Sequence, residues 1–331
     1  MPANLTPQYR KAEEAYRRAA TPQEELECLQ RMWVELPKHK GTDKMQADLK
    51  QKISRLKKEL ASGSSKKGAA RASKRIPRQG AGRAVIIGGP NAGKSQLLAS
   101  LTRATPVVAD YPFSTQTPLP GMMPWHDVYV QLVDTPPITA DVLDPDVHSL
   151  IRGADLVLLV LDLGSDDGGE QLQEVIDRLQ ATKTRLGPET CVDEEDIGVT
   201  YTRTFLLLNK IDLPESADRR AFFDEFIQAP FERFEISALE KTGLDRLADR
   251  VYEAMDVVRV YTKSPAQSEP DRDKPYTLKR GQTLEDLAEL VHRDFAKNLK
   301  NAKVWGDAVH PGTVVKGDYV LHDQDVVELH V

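Results

Sequence analysis

The sequence predicts an α/β protein, with a mostly parallel sheet between helices, an α-helical hairpin before it and a smaller unit after it. Three observations carry this prediction. From residue 83 onward, short apolar runs alternate with helical stretches. A glycine-rich turn joins the first of those runs to a helix, and residues 8–60 place apolar side chains at helical spacing. A chain of 331 residues has room for two or three domains. Its 40% hydrophobic and 29% charged content is that of an ordinary globular protein. The apolar run Leu156–Leu161 is far short of the ~20 residues that span a bilayer, and the polar stretch Met1–Arg18 does not read as a signal peptide. Cys28 and Cys191 lie far apart without metal-ligand spacing, so unpaired thiols and a cytoplasmic location are expected.

Taken in order, Leu26, Leu29, Met32 and Trp33 mark a first helix, Pro37–Gly41 breaks it, and Met45, Leu49, Ile53 and Leu56 stripe a second from Thr42 to Leu60. The pair reads as an αα-hairpin over residues 1–60. Residues 61–82, mostly Gly, Ser, Ala, Lys and Arg, read as a flexible basic linker. The α/β domain then spans 83–262. Its strands are expected at Arg83–Gly88, Val128–Asp134, Asp155–Asp162, Thr204–Asn209 and Phe234–Ser237, and its helices at 170–185, 216–228 and 243–258. A Pro-, Ser- and Asp-rich linker over 263–274 leads to a compact unit at 275–331. That unit has a strand at 275–279, a helix at 283–297 and short strands ending in Asp325–His330.

Charge is distributed unevenly. Met1–Arg83 carries 20 basic and 9 acidic residues, whereas the remainder carries 25 and 42. An acidic body behind a basic arm points to a polyanion, with structured RNA or the ribosome favoured over DNA or a membrane; a solvated tail is the alternative. Lys57, Lys58, Lys66, Lys67, Arg71, Lys74, Arg75 and Arg78 supply phosphate-neutralising charge without aromatic residues for base stacking.

Gly88-Gly89-Pro90-Asn91-Ala92-Gly93-Lys94-Ser95 fits G-x-x-x-x-G-K-[ST] between a strand and a helix, with Gln96 next in line. Backbone N–H groups and a helix N-terminus there face an anion; Lys94 neutralises the β- and γ-phosphates, and Ser95 reaches Mg²⁺. Asp134 ends an apolar strand 39 residues after Ser95, where a carboxylate behind the Mg²⁺ belongs. In Asn209-Lys210-Ile211-Asp212, a carboxylate after a strand can accept from the N1 and N2 donors of guanine, a pair adenine lacks. Ser237, Ala238 and Leu239 close a further strand and can present amides to the guanine oxygen. Together these predict GTP and GDP as ligands.

On these motifs the sequence resembles the Obg/DRG branch of translation-factor-related GTPases, with a C-terminal TGS domain. Asp110-Tyr111-Pro112-Phe113-Ser114-Thr115 is similar to that branch's switch I, which implies that Thr115 joins Ser95 on Mg²⁺ and, with Lys94, serves catalysis at the γ-phosphate. Val304-Trp305-Gly306, His310-Pro311-Gly312 and Asp325-Val326-Val327-Glu328 are similar to the TGS end of DRG-like proteins. Pro37–Thr42 resembles their N-terminal region. The resemblance implies a β-grasp fold for 275–331 and a cytoplasmic, ribosome- or RNA-associated GTPase.

Three departures stand out. The family's Asp-x-x-Gly reads Asp134-Thr135-Pro136-Pro137 here, and proline has no N–H for the γ-phosphate. Ile138 stands where many GTPases carry a water-positioning glutamine, which implies slow hydrolysis until a partner or cation assists. Only Leu163–Thr204 separates the third and fourth motifs, too little for the extra domain of DRG proteins. Asn91 resembles the K⁺ ligand of potassium-activated GTPases; otherwise it supports the loop by hydrogen bonding. The rival reading, favoured by Pro137, is a nucleotide-stabilised scaffold with negligible turnover. In the last unit, Arg293, Lys297 and Lys300 are expected to share one helix face with Lys303 beyond, either an RNA-contacting stripe or a solvated face beside Glu285, Asp286, Glu289 and Asp294. His292, His310, His322 and His330 read as surface or structural residues.

Overall fold

In the computed structural model, the described residues are 5–19, 21–37, 42–61, 76–102, 117–193, 199–226, 230–264 and 269–331. The N-terminal unit holds three helices, α1 (Pro7–Arg18), α2 (Pro22–Glu35) and α3 (Asp43–Ala61), rather than the expected two-helix hairpin. The extra break is local chemistry: the Thr21 hydroxyl accepts from Glu24 N–H at 3.1 Å, with Pro22 in the first turn. Thr6 and Pro7 start α1 in the same way. Tyr9, Leu29, Met32 and Leu49 form the core of this unit.

The central domain comprises β1 (Arg83–Gly88), α4 (Lys94–Leu101), β2 (Leu119–Trp125), β3 (Val128–Asp134), α5 (Pro145–Arg152), β4 (Leu156–Asp162), α6 (Gly168–Gln180), β5 (Thr184–Gly187), β6 (Cys191–Val192), β7 (Thr200–Asn209), α7 (Ser216–Phe226), β8 (Glu232–Ile236) and α8 (Leu244–Ala254). The sheet runs β2-β3-β1-β4-β7, with β8 beside the C-terminal half of β7 and β5 and β6 beside its N-terminal half. Strands β1, β3, β4, β7 and β8 are parallel, and β2 returns antiparallel on the edge. Both faces are covered. Along β1, Ala84 and Ile86 join one core while Val85 and Ile87 join the other, which is why that strand reads as a continuous apolar run.

Residues 76–82, assigned by composition to the flexible linker, are held against this sheet. Arg83 Nη2 donates to Ile76 O at 2.6 Å, Gln131 Nε2 to Pro77 O at 2.9 Å, and Gly80 bridges to Val130. Arg78, expected to face phosphates, instead binds Asp155 and the carbonyl of Gly153 at 2.5 Å. Lys66, Lys67, Arg71, Lys74 and Arg75 lie outside the described residues.

The C-terminal unit is built from β9 (Val257–Thr262), β10 (Asp271–Lys279), α9 (Leu284–Val291), α10 (Arg293–Asn298), β11 (Asn301–Gly306), β12 (Val309–Val315) and β13 (Asp325–His330). Its sheet order is β10-β9-β13-β11-β12, with β9 and β13 parallel. The unit therefore starts at Val257 rather than 275, and β10 takes in part of the expected linker. The single helix over 283–297 is also corrected. His292 is extended (φ −168°), and its ring accepts from Asp294 N–H, so a second helix starts there. The basic stripe is thereby divided: Arg293 and Lys297 stay on α10, while Lys300 lies beyond it with its N–H on His330 O at 3.0 Å.

Candidate functional site

In a parallel sheet, the loops after the strand C-termini share one edge, and there the peptide and helix dipoles favour an anion. The loops after β1, β3, β4, β7 and β8 carry the motifs. The turn from β1 into α4 needs residues outside the usual backbone regions, with φ 155° at Gly88 and 90° at Gly93. A Cβ at Gly93 would lie 2.3 Å from Asn209 Nδ2, so only glycine permits the close approach seen here. Asn91 sits exposed at φ 57°, and its side chain makes no hydrogen bond to the described residues.

Lys94 is buried, and its ammonium donates to Gly88 O at 3.2 Å and Gly89 O at 2.6 Å. Burial brings its pKa down to about 8, opposed by the charge of Asp134. Ser95 Oγ donates to Asp134 Oδ2 at 2.6 Å across the gap between α4 and β3. This pairs a hydroxyl and a buried carboxylate, hard oxygen donors of the kind that suit Mg²⁺. Gln96 Nε2 donates to Ser100 Oγ at 3.3 Å, and Ser100 Oγ donates to Ala238 O at 2.7 Å.

Asn209 joins two loops. Its Nδ2 donates to Ala92 O at 2.9 Å, and its Oδ1 accepts from Ala238 N–H at 3.0 Å. Lys210, at φ 68°, places its ammonium 2.7 Å from Asp162 Oδ2. Asp162, at the end of β4, was not singled out in the sequence; an acid closing an apolar strand was the available signal. Asp212 is exposed and open to a ligand. The amides after β8 need a correction. Ser237 N–H is engaged by Thr242 O at 3.1 Å and Ala238 N–H by Asn209, so Leu239 is the one of the three whose N–H makes no hydrogen bond to the described residues.

After β3, Thr135 Oγ1 donates to Ile86 O at 2.8 Å and Ile138 N–H to Gly88 O at 3.2 Å. Pro137 is buried, and Ile138 packs into the core under β1 and β4. The structure thus gathers residues 88–96, 134, 209–212 and 237–239 at one edge. Thr115 and the rest of Asp110–Thr115 lie outside the described residues. Among those described, no group of three or more His, Cys, Asp or Glu could hold a metal ion, and no helix is long and apolar enough to cross a membrane.

Residues 83–190 match the model of the 50S ribosome-binding GTPase family, and residues 258–331 match the TGS domain. Developmentally-regulated G-protein 1 of Arabidopsis thaliana is 30% identical, over 88% of this chain and 87% of that protein. An uncharacterised GTP-binding protein of Methanocaldococcus jannaschii is 29% identical over 93% and 92%. Among solved structures, the Schizosaccharomyces pombe YchF GTPase covers 77% of this chain and 99% of its own at a TM-score of 0.52 and 14% identity, a likeness of fold.

Proposed function

The chain belongs to the developmentally regulated G-protein family of GTPases, and on that premise we propose that it is a slow, Mg²⁺-dependent GTP hydrolase acting at the ribosome or on structured RNA. In this reading Gly88–Ser95 wrap the phosphates, with Gln96 bracing the loop through Ser100. Lys94 exchanges its two carbonyl partners for the β- and γ-phosphate oxygens. Asp212 accepts from guanine N1 and N2, Lys210 lies along the base, and Leu239 N–H meets the guanine oxygen. Ser237 and Ala238 act one step back, by holding that turn and Asn209. Ser95 and Thr115 would hold Mg²⁺, with Asp134 behind Ser95. The ion's contribution is charge neutralisation on the β- and γ-oxygens.

Asn209 carries the reading, because one buried amide fixes both the phosphate loop and the base-side turn. Slow turnover follows from Ile138. An apolar side chain packed in the core cannot orient the attacking water, and a K⁺ ion at the exposed amide of Asn91, or a bound partner, would supply the missing charge. The ribosome or RNA partner draws support from the family match over 83–190 and from the basic N-terminal arm.

Two assays test this. Single-turnover GTP hydrolysis should be abolished by Lys94→Ala. Co-sedimentation with purified ribosomes should be strongest with a non-hydrolysable GTP analogue, weaker with GDP and weaker again without nucleotide. Pelleting that ignores the nucleotide would favour the scaffold reading, for which Pro137 is the specific observation. No pelleting at low salt would remove the ribosome.

A further inference from the structure

Strands β2 and β3 form a hairpin whose open end carries Asp134. Leu119 pairs with Asp134 at one end, and Trp125 pairs with Val128 at the other. At roughly 3.3 Å per residue the hairpin spans about 20 Å, so its tip lies far from the site. That tip is gripped. Trp125 stacks on Tyr252 of α8 at 3.5 Å between centroids, and its indole N–H donates to Asp249 at 2.9 Å. Beyond it, Asp127 is held by the C-terminal unit: Arg259 Nη1 donates to Oδ1 at 3.0 Å and the Tyr261 hydroxyl to Oδ2 at 2.5 Å.

Arg259 is nearly buried and is itself fixed. Its Nη2 and Nε donate to Asp323 at 2.8 and 3.2 Å, and its guanidinium lies over Trp125 at 5.3 Å. The guanidinium thus bridges two carboxylates, with two donors fixed on Asp323 and the third presented to Asp127. The hairpin also touches the phosphate-side helix, since a Cβ at Gly121 would fall 2.9 Å from Leu98 Cδ1 of α4. On its outer side β2 has no partner strand among the described residues, so its position rests on its ladder with β3, on α4 and on the tip contact.

We propose that Arg259 and Tyr261 are positioning residues for GTP hydrolysis: by gripping Asp127 they set the place of the β2–β3 hairpin and, through it, the end of β3 that carries Asp134. The proposal rests on the reading that Asp134 stands behind Ser95 at the Mg²⁺ and phosphate side of the site. The C-terminal unit then pre-orders the hydrolytic arrangement from the far end of the sheet. A partner that shifts this unit would change the hydrolysis rate without touching the nucleotide.

The test uses the full chain with Tyr261→Phe, Asp127→Asn and the double variant. Single-turnover GTP hydrolysis, the dissociation constant for a fluorescent GDP and the thermal midpoint are measured for each, with Lys94→Ala as the site control. The expected result is a rate constant lower by about three- to tenfold in each variant, with GDP affinity within about twofold, a split that a purely structural contact would not produce. The double variant should fall no further than Asp127→Asn alone, because both changes act through one carboxylate. An unchanged rate with a lowered midpoint would overturn the proposal and leave a fastening only. A raised rate would also overturn it, since the C-terminal unit would then be holding the site back. A wild-type rate in Lys94→Ala would instead refute the assignment of the nucleotide site, and the positioning role with it.

Discussion

Asn209→Ala is the perturbation that most directly probes the site. Asn209 is 1% exposed, and its amide satisfies Ala92 O at 2.9 Å and Ala238 N–H at 3.0 Å. Both alanines are themselves buried at 2% exposure, so water has little access to the groups the substitution strands. Each stranded buried group costs about 1–3 kcal/mol, which gives roughly 2–6 kcal/mol for the pair before any relaxation. Because the two groups belong to the phosphate loop and to the base-side turn, at least half of that cost should appear as lost pre-organisation for nucleotide. GDP affinity is then expected to fall by about ten- to a hundredfold, at about 1.4 kcal/mol per factor of ten. Calorimetric titration with GDP gives the affinity, and thermal melting with and without GDP separates it from stability. A lowered melting point with GDP affinity unchanged to within twofold would refute the bridging role. An unchanged melting point would refute the energetic reasoning itself.

Asp212→Asn should leave the melting point unchanged, because the side chain is exposed. It should weaken GDP by about a hundredfold or more, from two hydrogen bonds to a charged acceptor at about 1.5–3 kcal/mol each. An amide there suits xanthine better, so competition with xanthosine diphosphate should reverse. Lys94, whose pKa burial brings down to about 8, predicts opposite pH trends for binding and stability. Phosphate binding needs the ammonium, so GDP affinity should fall by about tenfold between pH 7 and 9 as the free lysine deprotonates. The unfolded chain keeps its lysine protonated to about pH 10.4. It therefore binds more protons than the nucleotide-free folded protein above pH 8, and this residue's contribution to stability should rise over that window; titration and melting across pH 7–10 check both signs. Potassium should raise turnover over sodium at equal ionic strength if Asn91 ligates it, and equal rates would dismiss the ion.

The residues of the proposed nucleotide site could be picked out in the sequence, and the structure gathers them at one edge, because their motifs are local. A glycine-rich turn, a lysine and a strand-end carboxylate need only their neighbours in sequence, and β1 and β3 matched their apolar runs residue for residue. What was missed depends on neighbours distant in sequence. Leu119–Trp125 contains Pro120, Gly121 and Pro124, which argue against a strand, yet it pairs along its full length with β3. The prolines are tolerated because β2 is an edge strand, where no partner strand lies on the outer side. The start of the C-terminal unit was placed late because Val257–Thr262 follows α8 without a break in apolar character. Only pairing with β10 and β13 assigns it to the second sheet. The third N-terminal helix and the break at His292 were different misses. Thr21-Pro22 is a helix start readable from sequence, whereas a histidine side chain capping a new helix is not a common enough signal to read.

The same parallel sheet that gathers the proposed nucleotide loops at one edge leaves its opposite edge for attachments, and one carboxylate organises that edge. Asp155, at the N-terminal end of β4, accepts from Arg18 of α1 at 3.4 Å, from Arg78, from Lys279 of β10 at 3.1 Å and from the Arg83 amide at 2.8 Å. Burial pushes its carboxyl pKa up, but Lys279, Arg78, the Arg83 amide and Arg18 together hold it below the usual carboxylate range. A buried charge of this kind is costly to leave unpaired. The helical unit, the segment at 76–82 and the C-terminal unit are therefore tied to one point on the central strand. The C-terminal unit has a second attachment, Arg259 on Asp127, and the two points differ mechanically. Strand β4 is central, buried and paired on both sides, while β2 and its turn lie at the edge. A rotation of the C-terminal unit about its anchor at Asp155 must then be taken up by the hairpin, the softer of the two attachments, and the hairpin leads back to Asp134.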